Sequence, residues 1–305
     1  MKNLFIYLAT VFIWGTTWLA IKLQLGDVSP EVSIFYRFLF AFSLLLVFCK
    51  IKGMNLKFRF KDHVFFFLLG LCMFSVHLLF IYTASLYLIS GMVSILFSLV
   101  SLFNILNSFL IFKKKPEIQV LFGACLGLAG TVVFFWDEVG HLSFQSQAIL
   151  GAGYALIGTL LFSLGNMVSM RNIQHKLPLI PSTTLSMGYG ASIMLVFCLL
   201  NNASFTLPTN AIYWGSLLYL VFIGSIAGFL CFLSLVSRIG PAKAGYATVF
   251  FPIIALFVSM LFENYSLSLT DLIGIGCVFA GNFLVMFKKK TVLTFNSGEK
   301  LANEN

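Results

Sequence analysis

A few polar and charged side chains stand inside an otherwise apolar chain, and they define the chemistry that the sequence could support. Arg37 lies inside an apolar segment, where its guanidinium could bind an anion or a carboxylate through two parallel hydrogen bonds. The same side chain could instead reach outward to Asp27 or Glu31. His77 could change charge near neutral pH and take part in proton transfer, or it could be a neutral residue of the protein interior.

Polar and aromatic residues also recur at intervals of three or four along three apolar segments, so each set shares one helix face. These stripes could line a common cavity, or they could bond one helix to the next. The helix-to-helix role is favoured for the serines, and both roles stay open for Asn104 and Asn166. The predicted site assumes convergence, because lipid would leave hydroxyls and amides unpaired. The stripes are Thr10, Trp14 and Thr17, with Trp18 beside them; Ser94, Ser98, Ser101, Asn104 and Ser108; and Thr159, Ser163 and Asn166. The candidate substrate-binding residues are Trp14, Thr17, Trp18, Arg37, His77, Asn104, Asn166 and Tyr246.

No motif for metal, nucleotide or acid–base chemistry is found in the sequence. The six cysteines lie in or at the ends of apolar segments without metal-ligand spacing, and there is no Gly-rich phosphate loop. A membrane-embedded enzyme would need clustered acid–base or metal groups, which His77 alone does not supply. We therefore expect no cofactor, no metal and no enzymatic activity.

The composition is typical of a membrane protein. Of the 305 residues, 60% are hydrophobic and 10% are charged, whereas about a quarter of the residues of a soluble domain are charged. The net charge of +9 comes from basic residues between apolar segments, so we expect contacts with lipid headgroups and no nucleic-acid partner.

Ten apolar segments are long enough to cross a bilayer as helices, which takes about 20 residues each. The first segment has no small-residue cleavage site, so we expect an uncleaved helix rather than a signal peptide. The boundary between Thr83 and Gly91 carries no charge but must be a turn, or two spans would merge. Turns are also predicted at breaks such as Gly240-Pro241, and Phe66 is expected to face lipid. The segments are 3–22, 31–50, 64–83, 91–112, 118–136, 148–170, 182–200, 212–234, 244–262 and 269–287.

Charge bias supports this count. If both chain ends are cytoplasmic, 17 of the 19 basic residues fall in cytoplasmic segments, with Lys22 outside and Arg37 within the membrane. The positive-inside rule therefore predicts ten helices with both termini in the cytoplasm.

A shift of 151 residues places Pro30 on Pro181 and Gly123 on Gly274, and it superposes the first five segments on the last five. Because five is odd, the two halves cross the membrane in opposite directions. We predict an all-α membrane protein of ten transmembrane helices in two inverted five-helix repeats, with a substrate site near the midplane between them. The predicted repeats are residues 1–137 and 148–288, and a polar cytoplasmic tail is predicted at 289–305.

Several short motifs occur in an order and spacing shared with one group of membrane carriers. They are Trp14-Gly15 and Lys22 in the first helix, Arg37 in the second, Gly240-Pro241-Ala242-Lys243-Ala244 before the ninth, Pro252 and Glu263 in the ninth, and Gly274 to Gly281 in the tenth. Over about residues 4 to 288 the chain resembles the drug/metabolite transporter superfamily, in particular ten-helix carriers of the EamA type. It departs where Ser101 replaces a frequent proline and Lys113-Lys114-Lys115 replaces Gly-Glu.

The resemblance implies a secondary transporter in a bacterial cytoplasmic (inner) membrane, as a monomer or homodimer. It implies export of a small metabolite, an amino acid or a related compound, by alternating access. The alternative is an uptake permease of the same fold for an amino acid or an S-adenosylmethionine-like metabolite. If transport is proton-linked, His77 is the candidate, because no Asp or Glu lies in the middle of a predicted span.

Overall fold

The computed structural model describes residues 2–26, 28–113, 118–134, 136, 147–244 and 247–286, and all regular secondary structure in these ranges is helical. A π-helical segment, Leu220–Ala227, joins α10 to α11. The helices are α1 (Lys2–Lys22), α2 (Pro30–Ile51), α3 (Phe60–Met73), α4 (Val76–Tyr87), α5 (Ser90–Ser98), α6 (Val100–Phe112), α7 (Ile118–Phe134), α8 (Gln147–Gln174), α9 (Leu179–Leu200), α10 (Ala211–Tyr219), α11 (Gly228–Ala244), α12 (Ala247–Phe262) and α13 (Leu269–Met286).

These helices make ten membrane spans, numbered here in chain order. The third span (Phe60–Tyr87) joins α3 to α4, the fourth (Ser90–Ile111) joins α5 to α6, and the eighth (Ala211–Ile239) joins α10 to α11. Seven spans are long and apolar enough to cross a membrane, and shorter apolar stretches in α7, α12 and α13 complete the ten. The predicted all-α membrane protein with ten transmembrane helices is confirmed.

The two halves repeat one arrangement. Shifted by 151 residues, the start of α3 at Phe60 falls on the start of α10 at Ala211, and Ile118 of α7 falls on Leu269 of α13. The packing of the spans has the same symmetry. Spans 3 and 4 of the first half pack on span 6, and the equivalent spans 8 and 9 of the second half pack on span 1. Spans 2 and 7, and spans 5 and 10, pack on each other. The fold is thus two inverted five-helix repeats.

Both halves have an irregular helix at equivalent positions. The third span breaks at Phe74–Ser75, where the Ser75 hydroxyl donates to the carbonyls of Gly70 (2.9 Å) and Leu71 (3.1 Å). Shifted by 151 residues, Phe74 corresponds to Ser225, which lies in the π-helical segment of the eighth span. Discontinuous helices at the midplane supply binding sites in many transporters, because they free backbone and side-chain polar groups.

The predicted segment boundaries need some correction. The uncharged boundary is a turn as expected, since α4 ends at Tyr87 and α5 begins at Ser90. The turn predicted at Gly240-Pro241 is wrong, because α11 continues to Ala244; a proline near a helix end removes a single internal hydrogen bond, which membrane helices tolerate. Phe66 does not face lipid: it is fully buried, with its ring 5.2 Å from that of Phe58. The predicted tail at 289–305 lies outside the described residues.

Candidate functional site

A central cavity lies where the first four spans meet spans 6 and 8 of the other half. Its volume is about 40 Å³, which accommodates water-sized groups but falls well below the roughly 300 Å³ of an ordinary small-molecule pocket. A bound metabolite would therefore need this cavity to widen. The lining residues are Trp14, Thr17, Trp18, Ile21, Arg37, His77, Leu78, Ile81, Phe97, Phe162 and Phe229.

Aromatic rings form most of the cavity wall. The Trp14 ring lies 4.7 Å from Phe232, 5.4 Å from Phe229 and 5.9 Å from Phe162, measured between ring centroids. Gly228 makes this packing possible, because a Cβ at that position would lie 2.7 Å from Trp14 Nε1. The wall thus joins α1 of the first half to α8 and α11 of the second.

Arg37 is the charged residue of the cavity. Its side chain is only 3% exposed, and its Nε donates to Ser225 Oγ at 2.7 Å. The π-helical segment thus supplies an acceptor for this group, while Nη1 is buried without a partner among the described residues. Gly224 leaves the necessary space, since a Cβ there would lie 2.9 Å from Thr17 Cγ2 and 3.4 Å from Arg37 Nη2.

Two further polar groups surround the guanidinium. The hydroxyl of Tyr82 lies close to Arg37 and donates to Gln24 Oε1 at 2.7 Å. His77 is 2% exposed, lies within electrostatic range of Arg37 and packs its ring 5.3 Å from Phe162. Its Nδ1 is buried without a partner. Arginine, phenol and imidazole groups from the second and third spans therefore meet at one side of the cavity.

No carboxylate from the described parts of the chain balances the Arg37 charge. The outward contact with Glu31 that the sequence left open is absent, and Asp27 lies outside the described residues. Within those same ranges, the one ion pair joins Arg171 to Asp62 at 2.9 Å. Arg37 is thus a buried cation whose remaining hydrogen-bonding capacity faces the cavity.

Asn104 and Asn166 do not line the central cavity. Asn166 Nδ2 donates to Asn104 Oδ1 at 3.2 Å, Ser163 Oγ donates to the same oxygen at 2.8 Å, and Asn107 Nδ2 donates to Ser163 Oγ at 2.9 Å. This polar cluster bonds α6 to α8. It is the helix-to-helix arrangement that the sequence offered as the alternative to a cavity lining.

The structure therefore brings together part of the predicted site. The aromatic partners Phe97, Phe162 and Phe229 were missed, because nothing in sequence distinguishes them among 36 phenylalanines. Ser225 was missed because its role depends on packing across the two halves. Of the predicted residues, Trp14, Thr17, Trp18, Arg37 and His77 line the cavity, Asn104 and Asn166 pair beside it, and Tyr246 lies outside the described residues.

A polar cluster closes one end of the bundle. The Glu263 carboxylate at the end of α12 accepts from the Ser90 backbone N–H at 3.1 Å, from the Ser90 hydroxyl and from Ser259 Oγ at 2.5 Å. Because α5 begins at Ser90, the carboxylate also lies at the positive end of that helix. At the same end, Lys22 Nζ donates to two carbonyls at the end of the third span, at 2.5 and 2.9 Å. Spans 1, 3, 4 and 9 are thus tied at this end.

A second cavity opens toward the other end of the bundle. Its volume is about 300 Å³, and spans 3, 6, 7 and 8 supply its walls. We call it the lower cavity. Its lining includes Leu69, Ser169, Asn172, Ile173, Lys176, Ser182, Thr183, Leu233 and Ser237.

Comparisons with known proteins cover nearly the whole chain. The uncharacterized transporter YoaV of Bacillus subtilis (strain 168) is 23% identical over 286 residues, which is 92% of this chain and 95% of the relative. The uncharacterized transporter YetK of the same organism is 28% identical over 306 residues, 96% of this chain and 89% of the relative. Protein PagO of Salmonella typhimurium is 22% identical over 299 residues, 95% of this chain and 94% of the relative.

A solved crystal structure shares the fold, with a TM-score of 0.68 at 17% identity over 93% of this chain and 96% of the other. A model described as the EamA-like transporter family matches residues 1–136 and 149–287. These two matched segments fall on the two halves of the ten-span bundle, and YoaV and YetK are named as transporters. The chain therefore belongs to the EamA-like transporter family, a family of multi-pass membrane proteins.

Proposed function

We propose that the protein is a secondary transporter that exports a small metabolite, an amino acid or a related compound, by alternating access. Residues 1–137 and 148–288 would be the two units that move against each other, and both termini would be cytoplasmic. The observation that carries the proposal is a central cavity with a buried arginine between two inverted halves, in a bundle that is tied by a polar cluster at one end and has a wider second cavity toward the other.

The asymmetry of the two ends supports alternating access. Shifted by 151 residues, Ser169, Asn172 and Leu233 of the lower cavity correspond to Trp18, Ile21 and Tyr82. The first set lines the lower cavity of about 300 Å³. In the second set, Trp18 and Ile21 line only the central cavity of about 40 Å³, and Tyr82 is fully buried. In an inverted repeat, each half can adopt the conformation that the other half has now. Such an exchange would close the lower cavity and open the opposite end of the bundle.

The test is a comparison of metabolites in cells with and without the gene, followed by counterflow of the accumulating compound in liposomes that contain the purified protein. Export predicts a higher internal concentration in cells that lack the gene, and exchange of labelled compound in the liposomes. The control is an Arg37→Gln variant, which lacks the charged group of the central cavity and should show reduced counterflow. Accumulation only in cells that carry the gene would indicate uptake instead, and absence of counterflow would contradict transport.

A further inference from the structure

We propose that Arg37 binds the carboxylate of the transported molecule, and that this molecule is a monocarboxylate with an apolar body. The inference rests on the proposed transport function, because it names the chemical class of the substrate of the central cavity.

The first support is an uncompensated buried charge. Arg37 lies seven residues after Pro30, the first residue of α2, which is about 10 Å along the helix. At this depth a charged group without a counterion is expensive, and such groups normally pair or mark a ligand pathway. The guanidinium has one short bond, to Ser225, and no carboxylate partner in the described ranges. A ligand carboxylate supplies both the missing charge and the missing acceptor.

The second support is the excess of donors in the cavity. Trp18 Nε1 and His77 Nδ1 are buried without partners, as is Arg37 Nη1, and all three residues line the same cavity from different spans. The indole and guanidinium nitrogens only donate, and the imidazole donates in its Nδ1–H tautomer. A carboxylate only accepts and has two oxygens, so it can pair with several of these donors at once. A single cationic side chain favours a single negative charge.

The third support is the character of the remaining wall. Phe97, Phe162 and Phe229 present rings rather than polar groups, so the rest of the ligand must be apolar. No Asp or Glu is among the lining residues, so the cavity offers no carboxylate to an ammonium group. Among amino acids and related compounds it therefore favours acids without an ammonium group, and L-phenylalanine should bind more weakly than 3-phenylpropionate. The cavity of about 40 Å³ fits a head group, and the apolar body would enter when the aromatic wall separates during the transport cycle.

The experiment measures ligand-induced stabilisation of the purified full-length protein, which needs no transport. The probes are 3-phenylpropionate, hexanoate and L-phenylalanine, with 3-phenylpropionamide as the neutral isostere of the first and sodium chloride at equal ionic strength as the inorganic anion. We expect a carboxylate to raise Tm by about 2 °C or more at saturating concentration, because a ligand that binds only the folded state stabilises it. The amide and the chloride should leave Tm unchanged.

Variants assign the effect to the guanidinium. Arg37→Gln should abolish the rise in Tm. Arg37→Lys keeps the positive charge but lacks the planar guanidinium that can form two parallel hydrogen bonds, so it should retain part of the rise. Arg171→Gln is the matched control, since Arg171 pairs with Asp62 away from the cavity, and it should keep the full shift. Equal shifts with acid and amide, a full shift in Arg37→Gln, or no shift with any of the three carboxylates would overturn the proposal. If Arg37→Gln does not fold, the acid–amide comparison on the wild-type protein decides.

Binding and transport can fail separately. A carboxylate-specific shift without any flux in liposomes would remove the transport function but keep the anion site. Flux of neutral compounds without any carboxylate-specific shift would keep the transport function but remove the anion site.

Discussion

The indole of Trp14 contacts aromatic rings of α8, α11 and α12. Truncating this one side chain therefore removes packing contacts from all three helices at once. We expect Trp14→Ala to lower transport at least about tenfold, because it opens a void where the two halves meet. Trp14→Phe should retain most activity, since a ring remains. Phe122, on α7 and 67% exposed, supplies the control Phe122→Ala, and flux should be compared at equal membrane levels. Normal flux in Trp14→Ala would place the substrate elsewhere.

Asn166 was predicted to share this site, yet its bond goes to Asn104. Asn166→Ala should therefore weaken the contact of α6 with α8 by about 0.6 kcal/mol, a typical value for a bond between membrane helices. A loss of flux in this variant as large as that of Trp14→Ala, without a lower Tm, would return Asn166 to the substrate site.

Substitution of His77 tests whether transport is coupled to protons. If a proton accompanies the substrate through this imidazole, His77→Gln should flatten the pH dependence of transport between about pH 5 and 8 while leaving insertion normal. His63→Gln is the matched control, because His63 Nδ1 bonds to the hydroxyl of Tyr189 at 3.0 Å and His63 does not line the cavity. An unchanged pH profile in His77→Gln would favour facilitated diffusion, since no carboxylate lines the cavity.

Between helices, the Glu263 carboxylate holds the start of α5 against the end of α12. Removing it in Glu263→Ala leaves the Ser90 N–H and two hydroxyls without their acceptor, so this end of the bundle should open more often. A cysteine at Ile21, in a cysteine-free background, should then react several-fold faster with a membrane-impermeant thiol reagent. Asp271→Asn is the control, because Asp271 caps its own helix by accepting from the Ser268 N–H at 2.8 Å. Equal rates would show that this cluster does not control access.

Helices α7 and α13 pack closely against each other, and glycine permits this approach. A Cβ on Gly274 would lie 2.5 to 2.7 Å from atoms of Phe134, whereas a Cβ on Gly276 would meet nothing within 4 Å. Gly274→Ala should lower stability by about 1–3 kcal/mol, as overpacking does, and Gly276→Ala should change it little. Thermal unfolding of the two variants in the same detergent makes the comparison. Equal Tm values would contradict this packing.

For the molecule as a whole, we predict which loops share a side of the membrane. Lys57 lies exposed between α2 and α3, and the charge bias places it in the cytoplasm. Gln145, outside the described residues, is predicted on the opposite side. Single cysteines at these positions in a cysteine-free background should react with an impermeant reagent from opposite faces. Labelling from one face would contradict the predicted topology.

The number of spans and the repeat could be predicted from sequence because both depend on local properties. Twenty apolar residues cross a bilayer whatever surrounds them, and the positions of basic residues set the alternation of the loops. The same reasoning identified Arg37 and His77, since a titratable group inside an apolar segment is conspicuous without any knowledge of its neighbours.

The tertiary structure alone decided which of these groups meet. Thr17 and Arg37 line one cavity, whereas Asn104 and Asn166 are hydrogen-bonded to each other outside its lining. Thr17, Asn104 and Asn166 all lie in stripes with helical spacing, and the rotation of each helix in the bundle determines which stripe faces the cavity. The hydrogen bond from Arg37 to Ser225 in the π-helical segment joins the two halves, and no local pattern in the sequence indicates it. Sequence fixes what each span carries, and packing between distant spans determines which side chains face one another.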